Sequence, residues 1–392
     1  MGNTSGKQNP LLAGVQFPAH AQAANLTTSS STRRLRVLSL YATNFGDLSR
    51  GGIRSFIDVI SRGAPPQVDL THVGLGPLAG QLPRSQDHYI GLGSITPTSR
   101  INLRYGKALT DSGRAVFADA DLVLAHRAEH VAFIPRKMAL ALTLHGATWY
   151  AWRARRSLFG LVYPAVELAA TLRADLTMSV SSGEHGGLFN RYAKHVEGIT
   201  TTYDAALFTA GAATPRPERP AALIAMARLV PEKRLELVID TARNSGVGRA
   251  LLFGEGPERQ RLLDYAARSG VQLDLPGHSP ATEIADCLRN THGVFVNTSL
   301  FEGFPVAMLE AAATGTPVVG LAAPGVSAAV LQVGGHLANS AQELGAAVAQ
   351  AWQSGNRLSA DDIRERFGPD QVAHQFWVKA LRVTREGSGA TT

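Results

Sequence analysis

A single cysteine, Cys287, stands in a chain of 392 residues, so no internal disulfide framework exists. That excludes the small cross-linked secreted folds and makes a reducing compartment, the cytoplasm, the expected setting. No run approaches the roughly 18 consecutive apolar residues that a membrane-spanning helix needs. No charged segment followed by an apolar stretch opens the chain, so a signal peptide is not expected. Repeats of solenoid length are absent as well. What remains is an ordinary globular balance, 45% hydrophobic against 18% charged, in a chain long enough for two buried cores. The net charge of +7 bears on partners rather than on fold. An anionic substrate, a phospholipid surface or nucleic acid would each suit it, and so would a diffuse basic surface with no specific role.

Residues 1–32 are rich in Gly, Ala, Ser, Thr, Asn and Gln without period, and read as a disordered leader. Order begins at Arg36 to Tyr41, a β-type run that ends in a polar, glycine-bearing loop. Ala120 to Ala125 and Leu140 to Leu144 read as buried strands alternating with helical patterns. Three prolines between Thr209 and Pro220 mark a linker. Beyond it, Ala221–Ala227, Ala250–Phe253, Leu273–Leu275, Val294–Val296 and Val318–Leu321 read as strands. Glu232 to Arg243 reads as a helix, with Leu235, Val238, Ile239 and Ala242 at i, i+3, i+4 and i+7 on one buried face. The expected organisation is two α/β units with parallel sheets: 33–212, then 213–370, with residues 371–392 as a helix returning to the first unit and a tail.

In open parallel sheets, ligands bind outside the carboxyl ends of the strands. The distinctive residues of the second unit lie there: Arg228 and Lys233 after one strand, Gly254-Glu255-Gly256-Pro257 after the next, and Ser299 to Pro305 after a third. With Pro305 as a first helical residue, the free N–H groups that follow form an anion site by geometry and dipole. Glu310, five residues further, lies roughly 7.5 Å along the axis. A pyrophosphate at that helix start leaves a ribose diol near Glu310, whose two oxygens accept both hydroxyl protons, and leaves Glu302 on the sugar side. Arg228 clamps phosphate oxygens bidentately and Lys233 adds a point charge, so a departing diphosphate is stabilised without a divalent metal.

Glu302 and Glu310, with seven residues between them in Phe301-Glu302-Gly303-Phe304-Pro305-Val306-Ala307-Met308-Leu309-Glu310-Ala311, resemble the signature of family 4 retaining glycosyltransferases of the GT-B fold. Ala227 to Lys233 resembles the family's phosphate-binding Arg and Lys segment. Gly254 to Glu258 resembles its second glycine turn, and Gly315 to Val319 the strand after the signature helix. In the first unit, Gly51-Gly52-Ile53 resembles the glycine loop near donor phosphate and acceptor. Asp121 to His126 resembles the strand whose terminal His meets the transferred sugar, Thr143 to Gly146 the next strand end, and Thr202 to Phe208 the hinge. The resemblance spans residues 36 to 384.

It implies two Rossmann-like domains facing across a cleft, the first for the acceptor and the second for a UDP- or GDP-linked sugar. It implies transfer to an acceptor hydroxyl with retention and no cofactor or metal. The catalytic set would be Glu302, His126, Arg228 and Lys233; the donor would be held by Gly51, Gly52, His145, Arg228, Lys233, Gly254, Glu302, Gly303, Phe304, Pro305, Val306 and Glu310. The acceptor would be a glycan, a lipid-linked molecule or a small molecule, with no nucleic acid as partner. Two positions depart from the family pattern: Arg234 where Gly or Asn is usual, and Ala227 where Gly is common.

Rival readings attach to some of these residues. His126 and His130, spaced i, i+4, have the spacing of a metal pair but lack the adjoining Glu of a zinc protease. Asp119-Ala120-Asp121 precedes a strand rather than following one, and reads as a surface turn. Trp149 to Phe159 mixes aromatics with Arg153, Arg155 and Arg156 at helical spacing, fitting either a half-buried helix or a face on an anionic membrane. For the whole chain, a nucleotide-sugar epimerase of the same fold and a non-catalytic polyanion-binding scaffold are the alternatives.

Overall fold

The structure is a computed structural model and describes residues 33–42, 52–78, 81–93, 101–146, 162–180, 196–211, 217–218 and 220–384. The leader, Gly51 and the aromatic-basic segment 149–159 lie outside the described residues.

Two parallel sheets organise the chain. The first runs in the order β3-β2-β1-β4-β5-β6-β7, from β1 (Leu35–Leu40), β2 (Val68–Leu75), β3 (His88–Leu92), β4 (Leu122–Ala125), β5 (Leu140–Leu144), β6 (Leu176–Ser179) and β7 (Val196–Gly198). The second runs β10-β9-β8-β11-β12-β13, from β8 (Leu223–Met226), β9 (Arg249–Phe253), β10 (Gln272–Gly277), β11 (Val294–Asn297), β12 (Val318–Leu321) and β13 (His336–Ala338). The central strands β4, β5, β11 and β12 are buried along their whole length because helices cover both faces. In β5 every residue of Leu-Ala-Leu-Thr-Leu is buried, as is every residue of β4, β11 and β12.

Helices supply the cover. Helix α1 (Gly52–Arg62) buries Phe56, Ile57 and Ile60. The stripe Leu235, Val238, Ile239 and Ala242 is buried as its spacing requires, but the helix carrying it, α2 (Glu236–Asn244), starts later than its period implies. A 3-10 turn, Pro231–Lys233, comes first, and Arg234 then adopts a left-handed conformation with φ +48°. Gly and Asn tolerate this backbone region, whereas Arg is strained in it. Two hydrogen bonds offset the strain, from Arg234 Nε to the Thr298 carbonyl at 2.7 Å and from its terminal nitrogen to the Ser299 carbonyl at 3.2 Å.

The chain end returns to the first sheet's side. In helix α3 (Pro369–Ala380), Trp377 Nε1 donates to the Ile60 carbonyl at 2.7 Å, and the Phe376 ring meets Phe56 edge-on at 5.8 Å. Lys379 and Arg382 both reach Glu197 on edge strand β7 at 2.5 Å. The segment after β7 is tied to the second half, with Thr202 Oγ1 donating to the Phe367 carbonyl at 3.0 Å and Arg289 to the Leu207 carbonyl at 2.7 Å. Asp119 and Asp121 both hold Arg36, at its guanidinium and its backbone N–H, so this triplet closes a turn beside β1.

Strand order reverses between β1 and β4 in one sheet and between β8 and β11 in the other. Chains leaving such a reversal diverge to opposite faces and open a crevice at the carboxyl ends. His126 and Arg127 follow β4, Arg228 follows β8, and Thr298 to Glu302 follow β11. The fold thus brings the residues singled out by the sequence to two switch points.

Candidate functional site

At the second switch point, helix α4 (Val306–Ala313) rises from the loop after β11. Pro305 is its N-cap rather than its first helical residue, because ψ of 99° holds it in extended geometry. Val306 and Ala307 therefore carry the leading N–H groups that lack an intrahelical acceptor. Glu310 is four residues beyond Val306, about 6 Å along the axis rather than the longer distance counted from Pro305. Opposite lies the start of α1: a Cβ placed on Gly52 would sit 3.5 Å from Val306 Cγ2. Two helix N-termini, each with the positive end of its dipole, thus converge on one place.

The lip between the halves is tight. A Cβ on Gly303 would come within 2.6 Å of the His145 carbonyl oxygen, so glycine is what lets the Glu302 loop reach the end of β5. The turn after β9 is equally constrained. Gly254 has φ +137°, and a Cβ there would lie 1.9 Å from the Ala227 carbonyl oxygen. This close approach lets Leu229 N–H donate to the Glu255 carbonyl at 2.9 Å, fixing the loop that carries Arg228.

The charged groups differ in how they are held. Arg228 is exposed, and among the described residues no carboxylate pairs with it. Lys233 Nζ lies 2.5 Å from Glu302 Oε1, and Ser299 Oγ donates to that same oxygen at 2.7 Å. Thr298 Oγ1 braces the Lys233 turn by donating to the Lys233 carbonyl at 2.8 Å. The Glu310 carboxylate has no hydrogen-bond partner among the described residues. Burial, and secondarily the negative charge of Asp204, push its pKa up to about 7. Phe304 is buried with its ring against Phe367 at 5.9 Å, so it anchors the loop through packing.

On the other side, His126 is 1% exposed, with Ser39 Oγ at 3.3 Å from Nε2 and His145 Nε2 at 3.4 Å from Nδ1. His145 is half-buried, its ring edge-on to Phe56 at 5.0 Å. His130 faces elsewhere: its ring lies tilted against Tyr105 at 4.7 Å, and neither of its ring nitrogens has a partner among the described residues. The described residues contain no group of three or more His, Cys, Asp or Glu placed to hold a metal ion.

The sequence alone gave no individual role to Ser299 or Ser39. For Ser299 a signal exists, because Ser299-Leu300-Phe301-Glu302 has the S-x-x-E spacing at which hydroxyl and carboxylate meet.

These imidazoles make stability depend on pH. Burial lowers the pKa of His72, takes His126 well below its usual value, and lowers His130 and His145 to about 3. Their folded values lie below the unfolded value near 6.5, so the stability they contribute is fully present above that pH. It is lost as pH falls from about 6.5 towards 3, because only the unfolded chain takes up protons there, at about 1.4 kcal/mol per pH unit per proton. Melting temperature followed from pH 8 to pH 4 should fall below pH 6.5, and less steeply in His130→Leu. A flat profile would show that these imidazoles are solvated.

With this geometry in hand, known proteins resolve the architecture. Residues 210–366 match the glycosyl transferases of group 1. WcaL of Salmonella typhimurium, named as a colanic acid biosynthesis glycosyltransferase, is 33% identical over 122 residues, 28% of this chain and 30% of WcaL. The GtfA subunit of a UDP-N-acetylglucosamine–peptide N-acetylglucosaminyltransferase from Streptococcus agalactiae is 28% identical over 108 residues, 26% of this chain and 21% of that protein. The chain thus spans under a third of the length of these relatives. Among solved structures, sucrose-phosphate synthase from Thermosynechococcus elongatus superposes with a TM-score of 0.73 at 17% identity, over 91% of this chain and 100% of that one. HepE of Anabaena, in complex with UDP and glucose, superposes with a TM-score of 0.60 at 15% identity, over 91% and 99%. The fold is GT-B: two parallel-sheet, Rossmann-like domains. No helix among the described residues is long and apolar enough to cross a membrane.

Proposed function

We propose that the protein is a glycosyltransferase that moves a sugar from a UDP- or GDP-linked donor to an acceptor hydroxyl, with retention and without a metal or cofactor. The observation that carries this reading is the convergence of the α1 and α4 N-termini beside Lys233, Glu302 and the exposed Arg228. Such an assembly suits a diphosphate flanked by a ribose on one side and a sugar on the other.

In this reading the diphosphate lies at the Val306 N–H end of α4, with Arg228 and Lys233 on its oxygens. Glu310 accepts from the ribose hydroxyls, and Glu302 accepts from hydroxyls of the sugar. His145 faces the sugar, held in place by His126. The acceptor oxygen bonds to the anomeric carbon on the face from which the phosphate oxygen departs, and the acceptor proton passes to that departing oxygen. Positive charge waiting at the leaving group supplies the largest share of stabilisation. The acceptor is a glycan, lipid-linked or small-molecule hydroxyl. The test is incubation with UDP-glucose and GDP-mannose in EDTA, following the released diphosphate and the anomeric configuration of the product by NMR. Retention with metal-free turnover is the expected result. Inversion, or epimerised nucleotide sugar without transfer, would overturn it.

A further inference from the structure

We propose that Glu302 is an internal counter-ion for Lys233, and that its exchange makes the site favour the intact sugar donor over the spent nucleoside diphosphate. This rests on the donor-site reading above. Lys233 Nζ is 2.5 Å from Glu302 Oε1, and both side chains are only 17% exposed, so water screens the pair weakly. Ser299 Oγ holds the same oxygen at 2.7 Å, which fixes the carboxylate on the lysine. The two residues are 69 apart in sequence, and the contact arises because the turn after β8 and the loop after β11 leave neighbouring strands.

An ammonium has three donors and can serve a carboxylate and a phosphate together. The phosphate charge would then stand beside the Glu302 charge, and like charges this close disfavour one another. An arriving diphosphate therefore displaces the carboxylate from Lys233. With a bare diphosphate, Glu302 gives up its partner and gains none in a poorly solvated position, which is costly. With the sugar attached, hydroxyl groups donate to the freed oxygens and recover much of that loss. The exchange penalises the product more than the substrate. Arg228, exposed and with no carboxylate on it among the described residues, meets the phosphates in both cases. One cation is open and the other is covered.

The experiment is calorimetric titration of wild type and Glu302→Gln with UDP, GDP and ADP, and with the glucose conjugate of whichever binds. Glu302→Gln should bind the bare diphosphate about tenfold more tightly, equivalent to about 1.4 kcal/mol, while the sugar conjugate tightens less or weakens. Ser299→Ala, which loosens Glu302 without removing its charge, should shift the ratio in the same direction by less. Introduced into Lys233→Ala, the Glu302→Gln change should tighten diphosphate binding by less than it does in wild type, because no ammonium remains to be freed. Unliganded melting curves matching wild type establish that the variants are folded. Wild type that binds none of the three diphosphates removes the donor-site reading and this proposal with it. Wild type that binds, with Glu302→Gln unchanged or weaker towards the bare diphosphate, overturns the counter-ion role alone.

Discussion

Arg228→Ala and Lys233→Ala should each lower turnover by about a hundredfold or more, the range for removing one preorganised charge stabiliser. The two losses have different origins. Arg228 is exposed at the end of β8, and its removal deletes a guanidinium that can grip two phosphate oxygens at once. Removing Lys233 also leaves Glu302 in the site without its partner at 2.5 Å, so a negative charge then faces the incoming phosphate. Lys233→Ala should therefore weaken diphosphate binding more than Arg228→Ala does, and Lys233→Ala/Glu302→Gln should recover part of that binding without recovering turnover. Steady-state rates and calorimetric dissociation constants on the same preparations check both points. Near-wild-type turnover in either single variant would show that its charge is a solvated surface group.

The second large effect concerns Glu310. Its pKa of about 7 means that near neutrality half of the carboxyl groups are protonated before ligand arrives. A ribose diol presents two donors and is best met by the ionised form, which accepts at both oxygens. Nucleotide affinity should therefore fall as pH drops below about 7, by up to tenfold per unit, and level off above it. The diphosphate's own last ionisation lies near 6, so the informative quantity is the difference between wild type and Glu310→Gln across pH 5.5 to 8.5. The variant should bind more weakly at pH 8 and lack the additional proton dependence. Identical profiles would place the ribose elsewhere.

Much of this site was legible because it rests on local rules. The run Leu140–Leu144 is a strand from end to end, since a buried parallel strand reads as uninterrupted apolar sequence. The stripe Leu235, Val238, Ile239 and Ala242 is buried as its period demands. The start of α4 was legible to within one residue from Pro305, which is its N-cap rather than its first helical residue. Contacts between distant segments were not legible. Nothing in the sequence pairs Lys233 with Glu302, because their approach depends on the adjacency of β8 and β11. The left-handed turn at Arg234 was hidden by a helical period that continues through it. The burial of His126 depends on Ser39 and His145, which come from two other strand ends. The short strand β7, with Glu197 drawn onto Lys379 and Arg382, has no period of its own to read.

In the proposed function a nucleoside diphosphate is held, without metal, between the N-termini of α1 and α4 by Arg228 and Lys233. Calorimetric titration with UDP, GDP and ADP in EDTA tests it most directly, with wild type beside an Arg228→Ala/Lys233→Ala double variant. Wild type should bind at least one of the three with a dissociation constant that EDTA leaves unchanged, and the folded double variant should lose that binding. Binding to wild type only when magnesium or manganese is supplied, or equal binding by the double variant, would contradict the account.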